Sequence, residues 1–376
     1  MKISAIICEY NPFHYGHKFH IEKTRQNGAD AIVAIMSGDV VQRGNVAIAD
    51  KYKRAKIALQ NGADIVAELP CPFCCAGAQS FAKTGVFIAK VLGADTLSFG
   101  SECADTKALK KCIDAVSEEK LSEGLKSGLS YPKALSEAIE DKTLREIVSS
   151  PNNTLAIEYM RNLDESITPF TIKREGVLHD SSDTAGHFAS ASLIREQMLR
   201  GCLDKSLLPY EADFSPCDLS YAQRGLLYTL STFSQDYFLN LPECDQGLYK
   251  RIKSAISQSD SLNALYDNAK TKCYTHARIR RVVLYALLGV TKDDFKMQDD
   301  LPYIRILAMN DKGREVLKNV KSTTPILTSV SDVENLGENA RRLYSLSQRA
   351  NDLINASNAE FCGFKNEKTN KFIKED

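Results

Sequence analysis

Ile3-Ser4-Ala5-Ile6-Ile7-Cys8-Glu9-Tyr10-Asn11-Pro12-Phe13-His14-Tyr15-Gly16-His17 reads as a short apolar strand, a turn marked by Pro12 and the first turn of a helix. The near-continuous apolar run suits a strand buried on both faces of a parallel sheet. His14 and His17 are three apart and share one face of the coming helix, which His20 continues. A helix start offers unpaired backbone N–H groups and the positive end of the dipole, so this is a candidate phosphate site. Gly16 permits close approach to the backbone. Imidazole N–H groups there would stabilise charge building on an α-phosphate during nucleotidyl transfer. The alternative is a set of ordinary surface histidines. The chain has only six histidines, and the strand–turn–helix context around these favours the phosphate site.

Outward from this stretch, strand and helix alternate. Ala31 to Met36, Ile65 to Leu69, Thr96 to Phe99 and Phe170 to Lys173 read as further strands. Gly16 to Asn27, Asp50 to Asn61 (with Asp50 as cap) and Ala78 to Leu92 read as the helices between them, and 104–148 continues in helical spacing. Repeated β-α-β units predict a Rossmann-like α/β domain with a parallel sheet and helices on both faces. Ligands of such sheets sit beyond the carboxyl ends of the strands. His14/His17, Ser37-Gly38-Asp39 and Gly100-Ser101 all fall there. Pro209 and Pro216 bracket a boundary between residues 1–210 and 211–376, and the second part reads as mainly α-helical from Leu219 to about Ser357.

With 376 residues, 43% hydrophobic and 26% charged, the chain has the composition of an ordinary globular protein. Lys+Arg and Asp+Glu are both 48, so nucleic acid would be met by a local patch and not by a global basic field. No apolar run is long enough to span a membrane, and Met1 to Cys8 stops too soon for a signal peptide. Eleven scattered cysteines suit reduced thiols and a cytoplasmic setting. Cys71-Pro72-Phe73-Cys74 has half-site spacing but no companion pair, so it reads as small thiols lining a loop, and no metal site is expected.

Further candidates cluster around the strand ends. Ser190-Ala191-Ser192-Leu193-Ile194-Arg195 opens a helix with hydroxyls and an arginine one turn in, suited to β- and γ-phosphates; a serine cap with a solvated arginine is the plain alternative. Arg174 follows a strand, Asn152 and Asn153 lie in a helix-initiating loop, and Gly100 ends a strand. Asp39, Gln42 and Arg43 lie in a loop beside the phosphate site, where they would orient a small carboxylate or an incoming base. The most basic stretch is Lys270-Thr271-Lys272-Cys273-Tyr274-Thr275-His276-Ala277-Arg278-Ile279-Arg280-Arg281. Lys270, Lys272, Arg278 and Arg281, with Tyr285 on the face of Arg278 and Arg281, suit an RNA backbone and a splayed base; a solvated helix face is nearly as good a reading.

His14-x-Gly16-His17 after the first strand resembles the adenylyl- and cytidylyltransferase superfamily. The longer string Glu9-Tyr10-Asn11-Pro12-Phe13-His14-x-Gly16-His17 resembles the bacterial tRNA(Met) cytidine acetate ligase family. So do Met36 to Gly44, Phe99-Gly100-Ser101-Glu102, Ser150-Pro151-Asn152-Asn153 and Phe188-Ala189-Ser190-Ala191-Ser192-Leu193-Ile194-Arg195, in order over about the first 200 residues. Ser192 stands where that family commonly has threonine. The resemblance implies an HxGH nucleotidyltransferase fold that binds ATP through Ile7 to His17, His20, Gly100, Asn152, Asn153, Arg174, Ser190, Ser192 and Arg195. His14, His17 and Arg195 would be catalytic. It implies acetate, ATP with Mg²⁺ and elongator tRNA(Met) as reactants, with acetyl-adenylate formed first and N4-acetylcytidine second. Rival readings are nucleotidyl transfer to a phosphorylated small molecule, and a non-catalytic nucleotide-dependent RNA-binding protein.

Overall fold

The apolar run that opens the chain is an interior strand. In the computed structural model, residues 1–173, 189–364, 367 and 372–375 are described. The strands are β1 (Ile3–Cys8), β2 (Ala31–Ser37), β3 (Val40–Val41), β4 (Asn45–Val46), β5 (Ile65–Leu69), β6 (Thr96–Ser101), β7 (Thr168–Lys173), β8 (Ile304–Met309), β9 (Ile326–Leu327) and β10 (Ile373–Lys374). Among the described residues, β10-β8-β5-β2-β1-β6-β7 form one sheet with β9 beside β8, and β3-β4 form a separate hairpin. The five strands β1, β2, β5, β6 and β7 run parallel, with Ile3 opposite Ala31 and Cys8 opposite Met36.

The helices are α1 (Tyr15–Gln26), α2 (Lys51–Gln60), α3 (Ala78–Val91), α4 (Thr106–Asp114), α5 (Glu118–Lys126), α6 (Tyr131–Glu137), α7 (Lys142–Val148), α8 (Pro151–Asn162) and α9 (Ala191–Leu199) in the first half. In the second half they are α10 (Gln223–Thr232), α11 (Gln235–Leu239), α12 (Gln246–Ile256), α13 (Leu262–Ala269), α14 (His276–Leu288), α15 (Asp311–Asn319) and α16 (Glu338–Ala356). Strand alternation sorts the core into two layers. Ala5, Val33, Ile35 and Ile65 pack on the side of Phe81 and Val86 of α3. Ile6, Ile32, Ala34 and Val66 pack on the side of Ile21 of α1 and Ala55 and Ala58 of α2. At Gly85 of α3 a Cβ would lie 2.6 Å from Ile7 Cδ1, so a glycine lets that helix sit directly on β1.

The structure corrects the sequence reading in several places. The second half is not helical throughout: β8 pairs antiparallel with β5, bringing Met309 opposite Ile65, and β9 and β10 flank it. The run Ile304-Arg305-Ile306-Leu307-Ala308-Met309 is short and apolar, a length at which periodicity does not separate strand from buried helix. Asn152 and Asn153 are already in the first turn of α8, behind the cap Ser150, and not in a loop. Residues 40–46 are not an open loop but the β3-β4 hairpin.

At the carboxyl ends of β2 and β5 lies a buried charge cluster joining the two halves. Lys51 Nζ, at the start of α2, is fully buried and meets Glu68 at 2.7 Å, Asp39 at 3.6 Å and Glu367. Arg305 of β8 meets Glu367 at 2.5 Å and Glu68 at 3.5 Å, and also donates to the Tyr52 hydroxyl. Burial works against charge on Lys51, yet Glu367, Glu68 and Asp39 together outweigh it and hold the ammonium well above its ordinary range. Asp39 is the poorly compensated acid: burial, opposed by Lys51, pushes its carboxyl up to about 6.

Candidate active site

The end of β1 is fixed before any ligand arrives. Arg54 of α2 is buried, and its guanidinium donates to the carbonyls of Glu9 (2.7 Å), Ser37 (3.0 Å) and Ala49 (2.9 Å), and to that of Gly38. It therefore ties the carboxyl ends of β1 and β2 together. Asn11 Oδ1 accepts from Ile48 N at 2.7 Å, and Asn11 O accepts from Arg195 Nη1 at 2.6 Å. Arg54 reads in sequence as one more cation of Lys51-Tyr52-Lys53-Arg54, so nothing in the spacing distinguishes it from a solvated residue.

His14 is the N-cap of α1, and it exchanges caps with His17. His14 Nδ1 accepts from Gly16 N at 3.0 Å, and His17 Nδ1 accepts from His14 N at 3.2 Å. The rings stack with centroids 3.9 Å apart. With each Nδ1 used as an acceptor, each neutral ring carries its proton on Nε2. Both imidazoles thus bring an Nε2–H donor to a cavity that both line. Gly16 has a reason beyond phosphate approach: a Cβ there would lie 2.8 Å from His14 Cε1 and break the cap. His20 Nε2 is hydrogen-bonded to Ser98 Oγ at 2.9 Å, which ties α1 to β6.

The cavity measures about 1290 Å³, larger than the roughly 300–1,000 Å³ of a typical small-molecule site. Ile7, Cys8, Glu9, Tyr10, Asn11, His14, Gly16, His17, His20, Gly100, Asn152, Ser190, Ser192 and Arg195 all line it. Pro12, Phe13, Tyr15 and Asn153 do not. Phe13 is buried against Tyr10 and His17, and Asn153 Oδ1 accepts from Glu102 N and Cys103 N at 2.9 and 3.2 Å, holding α8 to the end of β6. Ser190 caps α9 by accepting from Leu193 N at 3.1 Å, and Ser192 Oγ accepts from Arg195 Nη2 at 3.1 Å. Arg174 lies outside the described residues, as does Phe188.

Gln42 and Arg43 line the cavity from the hairpin; Asp39 is buried in the Lys51 cluster and does not. Gln42 N donates to Glu9 Oε1 at 2.8 Å. The hairpin turn is seated on α14: Gly44 has φ +75°, and a Cβ there would lie 2.6 Å from Arg280 C. Helix α14 supplies the far wall through Ala277, Arg278, Arg280 and Arg281. The expected RNA face is partly committed elsewhere. Arg281 holds Glu243 through Nε at 2.9 Å and Nη2 at 2.5 Å, and Tyr285 is fully buried. Arg278 pairs with Asp245 at 2.8 Å. Lys270 and Lys272 are exposed, outside the cavity lining. Sequence reasoning passed over Arg280 and Glu243, whose place in the wall depends on tertiary packing alone.

Stacked histidines opening α1, opposite a Ser/Arg helix start and beyond parallel strand ends, define the class of HIGH nucleotidyl transferases, whose family profile matches residues 1–369. Within that class, the chain is 38% identical to the tRNA(Met) cytidine acetate ligase of Thermoanaerobacter sp. (strain X514), covering 88% of this chain and 89% of that one. It is 36% identical to the ligase of the same name from Clostridium kluyveri (strain ATCC 8527), covering 92% and 95%. It superposes on Thermotoga maritima TmcAL in its apo form with TM-score 0.91 at 28% identity, over 100% and 99% of the two chains. With the same protein bound to alpha-thio ATP the TM-score is 0.88 at 27% identity. The chain belongs to the tRNA(Met) cytidine acetate ligase family.

Proposed function

We propose that this protein is an ATP-dependent, AMP-forming ligase that acetylates N4 of the wobble cytidine of elongator tRNA(Met). The observation that carries this reading is the pair of Nε2–H donors of His14 and His17, set opposite Ser190, Ser192 and Arg195 in a cavity whose far wall is α14. In the first step the acetate carboxylate attacks the α-phosphorus of ATP and pyrophosphate leaves, giving acetyl-adenylate. The two imidazole donors and the start of α1 stabilise charge on the α-phosphate oxygens, while Ser190, Ser192 and Arg195 hold the departing pyrophosphate. Arg43 is the candidate partner for the acetate carboxylate. Arg174 is proposed as a further ATP contact on family resemblance alone. In the second step the cytidine N4 amine attacks the acetyl carbonyl, and AMP leaves. The relative bound to alpha-thio ATP supports the nucleotide assignment.

Mg²⁺ would arrive on the triphosphate as part of the substrate. No described helix is long and apolar enough to cross a membrane. We place the protein in the cytoplasm, with its tRNA. Residues 1–210 would supply most of the ATP site and residues 211–376 the RNA-facing wall. The target base lies in a single-stranded loop and can be splayed into a cavity of this size.

The test is to incubate the protein with labelled acetate, ATP and total tRNA, measuring label on tRNA and AMP released. Acetate-independent ATP consumption, or label that never reaches tRNA, would overturn the reading. Exposed Lys270 and Lys272 give a separate expectation for docking. Replacing both by alanine should weaken tRNA binding and flatten the slope of log K against log salt by roughly 1.5–2. Filter binding at several salt concentrations checks this, and an unchanged slope would move the RNA surface elsewhere.

A further inference from the structure

The second step needs a proton acceptor, because N4 becomes acidic once it has attacked the carbonyl. Resting on the ligase reading, we propose that Glu9 is the general base that takes the N4 proton. In that step the N4–C bond forms, the acyl C–O bond to AMP breaks, and the N4 proton passes to the Glu9 carboxylate.

The assignment follows from what the histidines and the other carboxylates of the cavity are doing. His14 and His17 both accept backbone hydrogen bonds at Nδ1, so they offer Nε2–H and no free lone pair. His20 Nε2 is engaged with Ser98 Oγ. Lys173 and the arginines are donors without a lone pair when charged. Cys8 directs its thiol at Ile35 O, 3.7 Å away, and burial pushes it far from ionising; Tyr159 is likewise held protonated by burial. The carboxylates lining the cavity among the described residues are Glu9, Asp218 and Glu243. Glu243 is clasped by Arg281. Asp218 accepts from Ser220 N at 2.9 Å and Asn45 Nδ2 at 3.1 Å.

Glu9 stands at the end of β1, on the same loop as His14 and oriented through Oε1 by Gln42 N. The groups that face it are Arg195 of α9, Arg43 of the hairpin and Arg54 of α2, with Cys8 on its own strand and Tyr159 of α8. Burial raises the Glu9 carboxyl above its ordinary range, more than the Gln42 N–H and the three arginines lower it, so it is a stronger base than an exposed carboxylate.

Glu9→Gln keeps an oxygen for Gln42 N and removes the base. In the full-length protein, acetate-dependent ATP–pyrophosphate exchange reports the first step. Single-turnover transfer of labelled acetate to tRNA reports the second. Transfer should fall by about 100-fold or more in E9Q, and by at least about tenfold more than exchange falls. Wild-type transfer should decline toward acid pH along a limb that exchange lacks and that the residual transfer of E9Q has lost. Equal loss of both steps in a folded E9Q, transfer near the wild-type rate, or an acid limb that survives in E9Q would each overturn the assignment. Should E9Q fail to fold, a wild-type transfer rate flat with pH would overturn it alone. A wild-type protein that transfers no label would instead sink the ligase reading itself.

Discussion

His17→Ala is expected to lower acetate-dependent ATP–pyrophosphate exchange by roughly 100- to 1000-fold while leaving tRNA affinity within about twofold. The imidazole Nε2–H is fixed by the cap that its Nδ1 makes with His14 N, so the donor is positioned before ATP binds. A donor aimed where charge develops is worth more in the transition state than in the ground state, so the loss belongs in turnover more than in KM for ATP. The same substitution removes half of the reciprocal cap, which costs about 0.5–2 kcal/mol of stability. His17→Asn separates the two effects: its side-chain oxygen can still accept from His14 N, so the melting temperature should recover more than the exchange rate does. Full exchange activity in His17→Ala would remove the histidine pair from the phosphate chemistry.

Lys51→Met carries the largest expected effect on stability. It leaves Asp39, Glu68 and Glu367 buried with Arg305 as the remaining direct partner of the two glutamates. Removing one member of a buried ionic cluster costs about 3–5 kcal/mol, a large share of the ~5–15 kcal/mol that holds a domain together. Denaturant unfolding at pH 7 checks this. Asp39, already raised by burial, loses in the variant the partner that most lowers it, so stability should be lost as pH rises through that carboxyl's titration and partly regained near pH 5. In the wild type the same sign applies to Asp39. Its carboxyl titrates at about 6 in the fold, and an unfolded aspartate near 3.9, so its ionisation weakens the fold as pH rises between those values. Asp39→Asn should therefore be mild and should flatten that part of the pH profile. A Lys51→Met protein as stable as the wild type would mean that the cluster does not bind the two halves.

Much of the first half was legible because its signals are local. Ile3–Cys8 is apolar without a break, Asp50 caps α2 by accepting from Lys53 N at 2.9 Å, and glycines close α1, α2 and α3. His14-x-Gly16-His17 announced a helix start with its side chains already in register. Asn153 and Asp39 were drawn toward the ligand by their place in motifs, yet both are buried and serve the backbone or the charge cluster. Arg281 and Tyr285 share a helix face, but that face turns inward onto Glu243. Helical spacing says which residues go together; it does not say whether they meet solvent or another helix.

The sequence alone determined the parallel β-α-β core, the His14/His17 helix start and, through its ordered motifs, the family. Those depend on contacts a few residues apart and on strand ends that any such sheet brings together. Tertiary structure decided that β8, more than 200 residues later, joins β5, that Lys51 and Arg305 meet over Glu68 and Glu367, that Arg54 ties two strand ends, and that Gly44 seats the hairpin on α14. Each is a contact between distant segments, chosen by shape and by the need to pair buried charge, and neither spacing nor composition encodes the partner.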